Sequence, residues 1–268
     1  MQNSNIQSDP ISEAIQRLHI SVIPESLPCR EDERLIVENY IRNSVLRTTA
    51  TVRPVYICGM PGTGKTATVL ASINKLRSEV EAGTLPDFAF IEINCLRLKG
   101  PTDAYTMLWR GLTGVHVSPK TAHTRLTAHF KENFEVVGVS KSAPLITVCL
   151  VDEMDYLLSR NLEVLYNFYS WPQHAQSRFV LVGIANTMDL PEMMSIRLVD
   201  AYIYEGIDRV IFRPYAFDQI QRILSHRLSE LQLPDITEKV REIISRKAAS
   251  VAGDLRAALR ICQKTIEM

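Results

Sequence analysis

The sequence of 268 residues lacks an excess of either charge, because 30 lysine and arginine residues balance 30 aspartate and glutamate residues. No global positive field therefore draws the chain onto nucleic acid, and any such contact has to be local or shared with a partner. No apolar run reaches the roughly eighteen residues of a membrane-spanning helix. The first residues, MQNSNIQSDP, have neither the basic region nor the apolar core of an export signal, so we expect an intracellular protein without a membrane partner.

Paired cysteines are missing as well. The five cysteines are widely scattered and form no C-x-x-C pair: Cys29, Cys58, Cys95, Cys149 and Cys262. This spacing argues against structural zinc and for reduced, mostly buried thiols. With 46% hydrophobic and 22% charged residues, the chain can bury one good core and a small second one.

The most informative stretch is ICGMPGTGKTATV, residues 57–69, which contains Gly-x-x-x-x-Gly-Lys-Thr between an apolar run and a helical pattern. Glycines let backbone amides approach phosphate oxygens, and the following helix offers its positive N-terminal end. We expect Lys65 to reach the β- and γ-phosphates and Thr66 to hold Mg²⁺. The candidate phosphate-binding residues are Gly59, Met60, Pro61, Gly62, Thr63, Gly64, Lys65, Thr66 and Ala67. The alternative is a glycine-rich turn that only caps a helix.

Apolar segments separated by helical patterns predict a parallel sheet covered by helices, because strands without polar alternation are buried on both faces. The predicted strands are residues 54–58, 88–95, 145–153, 178–186 and 209–215. Three helical segments without an intervening strand follow Pro214. The predicted fold class is therefore α/β, an αβα sandwich around a parallel five-stranded sheet followed by a small all-α domain.

Two further helices are predicted near the start of the chain. We predict that residues 1–20 form a docking arm, in which a polar leader precedes a short helix with Ile11, Ile15 and Leu18 on one face. The later segment RLIVENYIRNSVL predicts a helix that lies on the core through four residues: Leu35, Ile36, Ile41 and Val45.

The predicted buried strand LITVCLVDE ends in two carboxylates. Burying a carboxylate is unfavourable unless a positive charge or a hydrogen-bond donor lies beside it, so we expect such a group at this end of the strand. Asp152 would orient Mg²⁺ through its water shell, and Glu153 would polarise the water that attacks a γ-phosphate. Asn186, at the end of the next strand, could hold that water beside Glu153. The alternatives are a solvated helix cap for the carboxylates and an ordinary turn for Asn186.

Arg256 follows Gly253-Asp254, a helix start, so it lies in a first turn and could swing its guanidinium toward a γ-phosphate. The alternative is an ordinary surface arginine.

Together these elements resemble those of AAA+ ATPases. Four of them correspond to Walker A, Walker B, sensor 1 and sensor 2: Gly59 to Thr66, Asp152-Glu153, Asn186 and Gly253-Asp254-x-Arg256. Longer strings such as LVDEMDYL, ANTMDLPE and GDLRAALRIC narrow the resemblance to the replication-initiator clade, which includes the largest subunit of the eukaryotic origin recognition complex and the Cdc6-type initiators. The likeness covers residues from about 20 to 268.

The resemblance implies an N-terminal arm (1–20), an AAA+ nucleotide-binding αβα domain (21–213) and a helical lid (214–268), with ATP or ADP and Mg²⁺ bound. It implies that Pro28, Arg30 and Glu31 lie near the adenine and that Tyr215 approaches it from the lid. The alternative for Arg30 and Glu31 is a solvated helix N-terminus.

The implied function is that of a nuclear, slowly hydrolysing ATPase subunit of an origin-recognition or initiator complex, in which nucleotide acts as an assembly switch. The implied partners are other initiator AAA+ subunits and duplex DNA. Two alternatives stay open: another AAA+ ATPase, such as a clamp-loader-like or signalling NTPase, and a scaffold that holds nucleotide permanently. The catalytic candidates are Glu153, Asp152, Asn186, Lys65 and Arg256, and the metal ligands are Thr66 and Asp152.

The sequence departs from the family pattern before the last strand, where Tyr204 takes the place of an arginine while Arg209 is kept. This weakens the expectation that the chain supplies an arginine finger to a neighbour. We also expect this chain to lack the family's winged-helix domain, and therefore to bind DNA weakly by itself and without sequence preference. The extra helix expected of the clade falls at residues 100–114, where it could approach DNA or another subunit, although Trp109 is more typical of a core residue.

Overall fold

The computed structural model describes residues 10–19, 22, 27–47, 52–131, 146–160, 162–174, 177–189, 206–229, 237–251 and 253–267. The chain divides into two units. The helical unit combines Met1–Asp32, Met60–Ala71 and Phe212–Met268, and the sheet unit combines Glu33–Gly59 and Ser72–Ile211.

The sheet has the strand order β2-β3-β4-β1-β5. Its strands are β1 (Val55–Gly59), β2 (Phe88–Asn94), β3 (Ile146–Asp152), β4 (Phe179–Ala185) and β5 (Asp208–Phe212). Every residue of β1, β3 and β4 is buried, as expected for strands covered on both faces. Because β3 pairs with β4 and β4 with β1 in parallel, these three strands end at the same edge of the sheet. The predicted fold class is confirmed.

The sheet unit contains α4 (Asp103–Thr113), α5 (Pro119–Lys131), α6 (Asp155–Arg160) and α7 (Leu162–Ser170). Helix α3 (Lys65–Glu81) starts in the helical unit and continues into the sheet unit. Helix α2 (Glu31–Leu46) likewise starts in the helical unit. An aromatic cluster anchors one side of this core, with Trp171 packed on Phe130, Phe168 and Phe179 at ring-centroid distances of 5.3–5.8 Å. Phe179 is the first residue of β4, so this cluster packs against the amino end of that strand.

The helical unit is built from α1 (Pro10–Leu18), α8 (Phe217–Leu228), α9 (Glu238–Val251) and α10 (Leu255–Ile266). Its core includes Ala14 and Leu18 from α1 together with Leu224 from α8 and Leu259 from α10. Helix α1, which lies in the predicted arm, therefore packs with α8 and α10. Across the described residues, no helix is both long enough and apolar enough to cross a membrane.

Helix α2 packs on a different face from the predicted one. Leu35 and Ile36 are 54% and 51% exposed, so their predicted place on the core is wrong, whereas Ile41 and Val45 are buried as predicted. The buried face also takes in Val37 and Glu38, whose positions are in phase with Ile41 and Val45 at the helical period. The buried face of α1 also differs from the predicted one, because Ala14 and Leu18 are buried whereas Ile11 is exposed.

Helix α4 falls where the extra helix is predicted. Trp109 is 1% exposed, which confirms its place in the core. Arg125 lies over its ring at 5.4 Å from the centroid. Tyr204 lies outside the described residues, whereas Arg209 is exposed on β5.

Candidate functional site

The glycine-rich loop connects the end of β1 at Gly59 to the start of α3 at Lys65. Gly62 and Gly64 have φ values of 76° and 89°, in the left-handed region that side chains with a Cβ rarely adopt. A helix that starts directly after such a loop points its free backbone N–H groups back at the loop. The loop therefore has the conformation and the helix end that bind a phosphate.

Lys65 is only 6% exposed, and its ammonium donates a hydrogen bond of 3.0 Å to the carbonyl of Met60. The Thr63 hydroxyl donates to the same carbonyl at 2.8 Å. These two bonds close the loop on itself. A buried ammonium at the start of a helix fits an anionic ligand, since both charge and helix dipole favour one.

The remaining predicted loop residues surround this turn. Pro61 and Met60 are exposed, whereas Thr66 and Ala67 are half-buried in the first turn of α3. Thr66 offers a hydroxyl next to Lys65, which is the ligand type that Mg²⁺ accepts. No group of three or more His, Cys, Asp or Glu side chains among the described residues could form a metal site by itself.

Within the helical unit, the start of α10 docks on this loop. The Leu255 N–H donates to the Gly62 carbonyl at 3.2 Å. Asp254 caps α10, with its Oδ1 accepting the Arg256 N–H at 2.8 Å. A Cβ on Gly62 would lie 1.7 Å from that same Oδ1. Arg256 is exposed in the first turn of α10, and its predicted contact with a γ-phosphate stays a prediction.

Arg30 ties the loop to the segment before α8. The side chain is 3% exposed, and its Nε donates to the Thr63 carbonyl at 3.1 Å, while Nη2 donates to the Arg213 carbonyl. The guanidinium lies over the Tyr215 ring at 4.0 Å from the centroid and over Phe212 at 5.2 Å. The alternative of a solvated helix N-terminus is therefore wrong for Arg30.

Two further predicted residues of the helical unit lie near this arginine. Tyr215 is 4% exposed, and its hydroxyl would be 2.7 Å from a Cβ on Gly64. Pro28 is half-buried in the turn before α2, where Cys29 has a left-handed φ of 68°. Arg30, Tyr215 and the loop form one contact network inside the helical unit. Their predicted contact with adenine remains a prediction.

In the sheet unit, the predicted carboxylates lie at the carboxyl end of β3. Asp152 is the last residue of the strand and is 6% exposed, and its Oδ1 accepts the backbone N–H of Glu153 at 2.9 Å. Glu153 is half-buried and has a left-handed φ of 57°. Asn186 follows β4, and its Nδ2 donates to Glu153 Oε2 at 2.7 Å. The structure thus brings together the two residues that we predict to position water.

Burial, together with the nearby carboxylates of Asp152, Glu153 and Asp155, raises the pKa of the Cys95 thiol to about 12. The thiol beside this edge therefore stays neutral at physiological pH. It contributes volume to the core under the site and no charge.

Sequence reasoning missed two residues at this edge. The Asp155 carboxylate accepts hydrogen bonds from the backbone N–H groups of Asn186 and Thr187, and the Tyr56 hydroxyl donates to the Thr187 carbonyl. The signal for Asp155 was its place as a third carboxylate in the string VDEMD, three residues after Asp152. The sequence of β1 gave no signal for Tyr56, because every residue of that strand is buried and no pattern of polar and apolar residues distinguishes one position from another.

Comparison with known protein families matches two parts of the chain. Residues 55–206 match the ATPase family associated with various cellular activities (AAA), and residues 216–268 match the AAA lid domain.

Individual relatives share more of the sequence. The chain is 39% identical over 261 residues to origin of replication complex subunit 1 of Oryza sativa subsp. japonica, and 37% identical over 259 residues to origin recognition complex subunit 1 of Homo sapiens. These alignments cover 97% and 96% of this chain but 31% and 28% of those proteins. The chain therefore spans about a third of the length of the curated relatives that it matches.

A solved structure of the Drosophila origin recognition complex bound to DNA contains a similar chain. It has a TM-score of 0.83 and 35% sequence identity, with 100% of this chain and 62% of that chain covered. The chain is similar over nearly its whole length to origin recognition complex subunit 1. Because the family match covers more than half of the chain, including the phosphate loop and the carboxylate pair, the chain belongs to the ATPase family associated with various cellular activities.

Proposed function

We propose that this chain binds ATP and hydrolyses it slowly as a subunit of a DNA replication origin-recognition complex, in which the bound nucleotide signals readiness to assemble. Membership of an ATPase family supports binding and hydrolysis. The names of the relatives favour an initiator over a clamp loader or a signalling NTPase. We retain the division into an arm (1–20), a nucleotide-binding domain (21–213) and a lid (214–268) as part of this proposal.

The phosphates bind to the loop from Gly59 to Ala67. Backbone N–H groups of the loop and of the first turn of α3 donate to phosphate oxygens, and the Lys65 ammonium exchanges the Met60 carbonyl for a stronger, charged acceptor. Arg256 approaches the γ-phosphate from the start of α10. Pro28, Arg30 and Tyr215 border the adenine, with Arg30 acting through the loop carbonyl that it holds.

Thr66 and Asp152 offer a hydroxyl and a carboxylate, the oxygen donors that Mg²⁺ prefers, and this donor chemistry fits the ion. When bound, Mg²⁺ would neutralise part of the phosphate charge. Asp152 keeps one oxygen on the Glu153 N–H, which fixes the carboxylate at the end of β3.

One observation carries the hydrolytic part of the proposal. The Asn186 amide donates to the Glu153 carboxylate over 2.7 Å, at the end of two adjacent buried strands. Glu153 then takes a proton from water, and Asn186 orients both the water and the carboxylate. A scaffold that never hydrolyses nucleotide would not need this pair.

The proposed partners are other initiator AAA+ subunits and, within the complex, duplex DNA, and the proposed location is the nucleus. A relative of known structure is described as bound to DNA. Lys99 and Arg110 are exposed beside and on α4, where they could meet phosphates. Arg209, exposed on β5, is a candidate to face a neighbouring subunit's nucleotide.

Calorimetry and single-turnover hydrolysis test the proposal on this chain. Wild type should bind ATP tightly and hydrolyse it far below the usual enzyme range of about 1–10³ per second. Lys65→Ala should abolish binding, because the buried ammonium is lost. Glu153→Gln should bind ATP as wild type does and stop hydrolysis, because a neutral amide cannot accept the proton.

Lys99→Ala is the matched control for Lys65→Ala, and Glu92→Gln is the matched control for Glu153→Gln. Each control removes the same charge as its partner variant, but from an exposed position. Neither should change binding or turnover. Normal hydrolysis by Glu153→Gln would refute the role of Glu153 as the base. Wild-type turnover within the ordinary enzyme range would refute the proposal that bound nucleotide acts as an assembly signal.

A further inference from the structure

The Asp155 carboxylate accepts three hydrogen bonds from the turn that follows β4. Its Oδ2 accepts the Asn186 N–H at 2.7 Å, and its Oδ1 accepts the Thr187 N–H at 3.1 Å and the Thr187 hydroxyl at 2.6 Å. Hydrogen bonds to a charged acceptor are about twice as strong as neutral ones. Asp155 therefore holds the backbone of the residue whose side chain contacts Glu153.

Met154, the residue between Glu153 and Asp155, is anchored on β4. The Met154 N–H donates to the Ile184 carbonyl of β4 at 2.9 Å, and Met154 is fully buried. A Cβ on Gly183 would lie 2.4 Å from Met154 Sδ, so β4 leaves space for this side chain by having no side chain of its own there. The chain after β3 is thus anchored on β4 between the two carboxylates.

An aspartate in the first turn of a helix commonly stabilises the positive N-terminal end of that helix. Here the bonds that the Asp155 carboxylate accepts come from Asn186 and Thr187, 31 and 32 residues away along the chain. The Tyr56 hydroxyl holds the same turn from β1 through the Thr187 carbonyl. The turn is therefore fixed from α6 and from β1 together.

We propose that Asp155 is a positioning residue, which holds the backbone at Asn186 so that the Asn186 amide reaches the Glu153 carboxylate. This inference rests on the proposed function, because it gives the Asn186–Glu153 pair a role in hydrolysis. The bonds that Asp155 accepts come from the backbone N–H groups of Asn186 and Thr187 and from the Thr187 hydroxyl. Its effect passes through the main chain of Asn186.

Asp155→Asn keeps the size of the side chain but replaces one acceptor oxygen by an N–H₂ donor that faces the backbone N–H groups. In single-turnover assays of this chain the hydrolysis rate should fall about 10- to 100-fold, the effect of a misplacement of about 1 Å, while the Kd for ATP stays within about twofold. Thr187→Val, which removes one of the three bonds, should lower the rate by about threefold. Asp189→Asn is the matched control: this carboxylate is exposed two residues further along and should change nothing.

A double-mutant cycle separates positioning from general damage. Asp155→Asn should have no further effect on the rate when Asn186 is already alanine, because its route to Glu153 is then missing. Additive effects, or an equal loss of ATP affinity and rate, would overturn the proposal.

NMR of protein labelled with ¹⁵N-asparagine tests the geometry without turnover. The Asn186 backbone amide should be shifted downfield and protected from exchange, and both the amide and its side-chain N–H₂ signals should move in Asp155→Asn but not in Asp189→Asn. If wild type does not hydrolyse ATP at all, the proposed function fails while these signals still decide the role of Asp155. An unchanged side-chain signal in Asp155→Asn would refute it.

Discussion

Replacing Gly62 by alanine perturbs the contact between the phosphate loop and the start of α10 at a single atom. The new methyl carbon would lie 1.7 Å from Asp254 Oδ1, whereas ordinary contacts begin near 3.4 Å. The carboxylate therefore has to move away, and its hydrogen bond from the Arg256 N–H cannot survive unchanged. The Leu255 N–H bond to the Gly62 carbonyl is strained by the same movement.

Three terms add to the cost in local free energy of unfolding. A left-handed φ costs an alanine about 1–2 kcal/mol. Loss of an N-cap costs about 0.5–2 kcal/mol, and loss of one backbone hydrogen bond costs about 0.5–1.5 kcal/mol. Gly62→Ala should therefore destabilise the docking of α10 by about 2–5 kcal/mol. In the Asp254→Ala background only the backbone strain of about 1–2 kcal/mol should remain.

Hydrogen exchange of the Leu255 amide measures this local opening directly. Its protection should fall by at least about 30-fold in Gly62→Ala, since each 1.36 kcal/mol is a factor of ten. Gly83→Ala is the matched control and isolates the backbone strain, because Gly83 has a φ of 73° and no atom of the described residues lies within 4 Å of the position that a methyl carbon would take there. The reasoning fails if Gly62→Ala costs no more than Gly83→Ala, or if Asp254→Ala does not reduce its cost.

Two other side chains give predictions of a similar kind. Arg30→Lys should lower stability by about 2–4 kcal/mol in urea denaturation and weaken ATP binding in calorimetry, because an ammonium cannot both stack on Tyr215 and donate to two carbonyls. Burial by itself raises the pKa of Glu38, but hydrogen bonds from Lys75 and Arg34 outweigh it and lower that pKa below its ordinary value of 4.5. Glu38→Gln should cost about 1–3 kcal/mol at pH 7. This difference should shrink as the pH falls from 4.5, where the unfolded chain takes up the proton, through the lower pKa of Glu38 in the folded protein.

Each of these has its own control. Arg213→Lys leaves the carbonyl that accepts from Arg30 in place and should be nearly neutral. Glu242→Gln removes a surface pair with Arg246, in which the glutamate is 40% exposed, against 2% for Glu38, and should cost less than about 0.5 kcal/mol. An equal loss of stability in a variant and its control would contradict that prediction. The Glu38 prediction would also be contradicted if the stability difference between Glu38→Gln and wild type stayed the same in acid.

Much of the fold followed from local patterns. Continuous apolar runs predicted the strands β1, β3 and β4, and the glycine spacing predicted the loop between β1 and α3. Asp254 and Gly253 predicted the start of α10, and the structure begins that helix at Leu255. These features depend on residues within a few positions of one another, so the sequence alone carries them.

The face of α2 could not be read in the same way. Leu35 and Ile36 are apolar but exposed, while Glu38 is buried because Arg34 and Lys75 neutralise it over 2.6 and 2.7 Å. A helical period predicts that one face is buried without specifying its phase when polar and apolar residues mix. One of the two cations that admit this charge into the core, Lys75, lies on another helix.

The sequence by itself determined the kind of site, since a phosphate loop and a carboxylate pair depend on residue types at fixed short spacings. Only the tertiary structure decided that Asp155 holds Asn186 and that Arg30 binds loop carbonyls. Those contacts join residues 31 and 33 positions apart. Which groups meet over such separations depends on strand order and helix packing, because hydrogen bonds form only within about 3 Å and the intervening chain can fold in many ways.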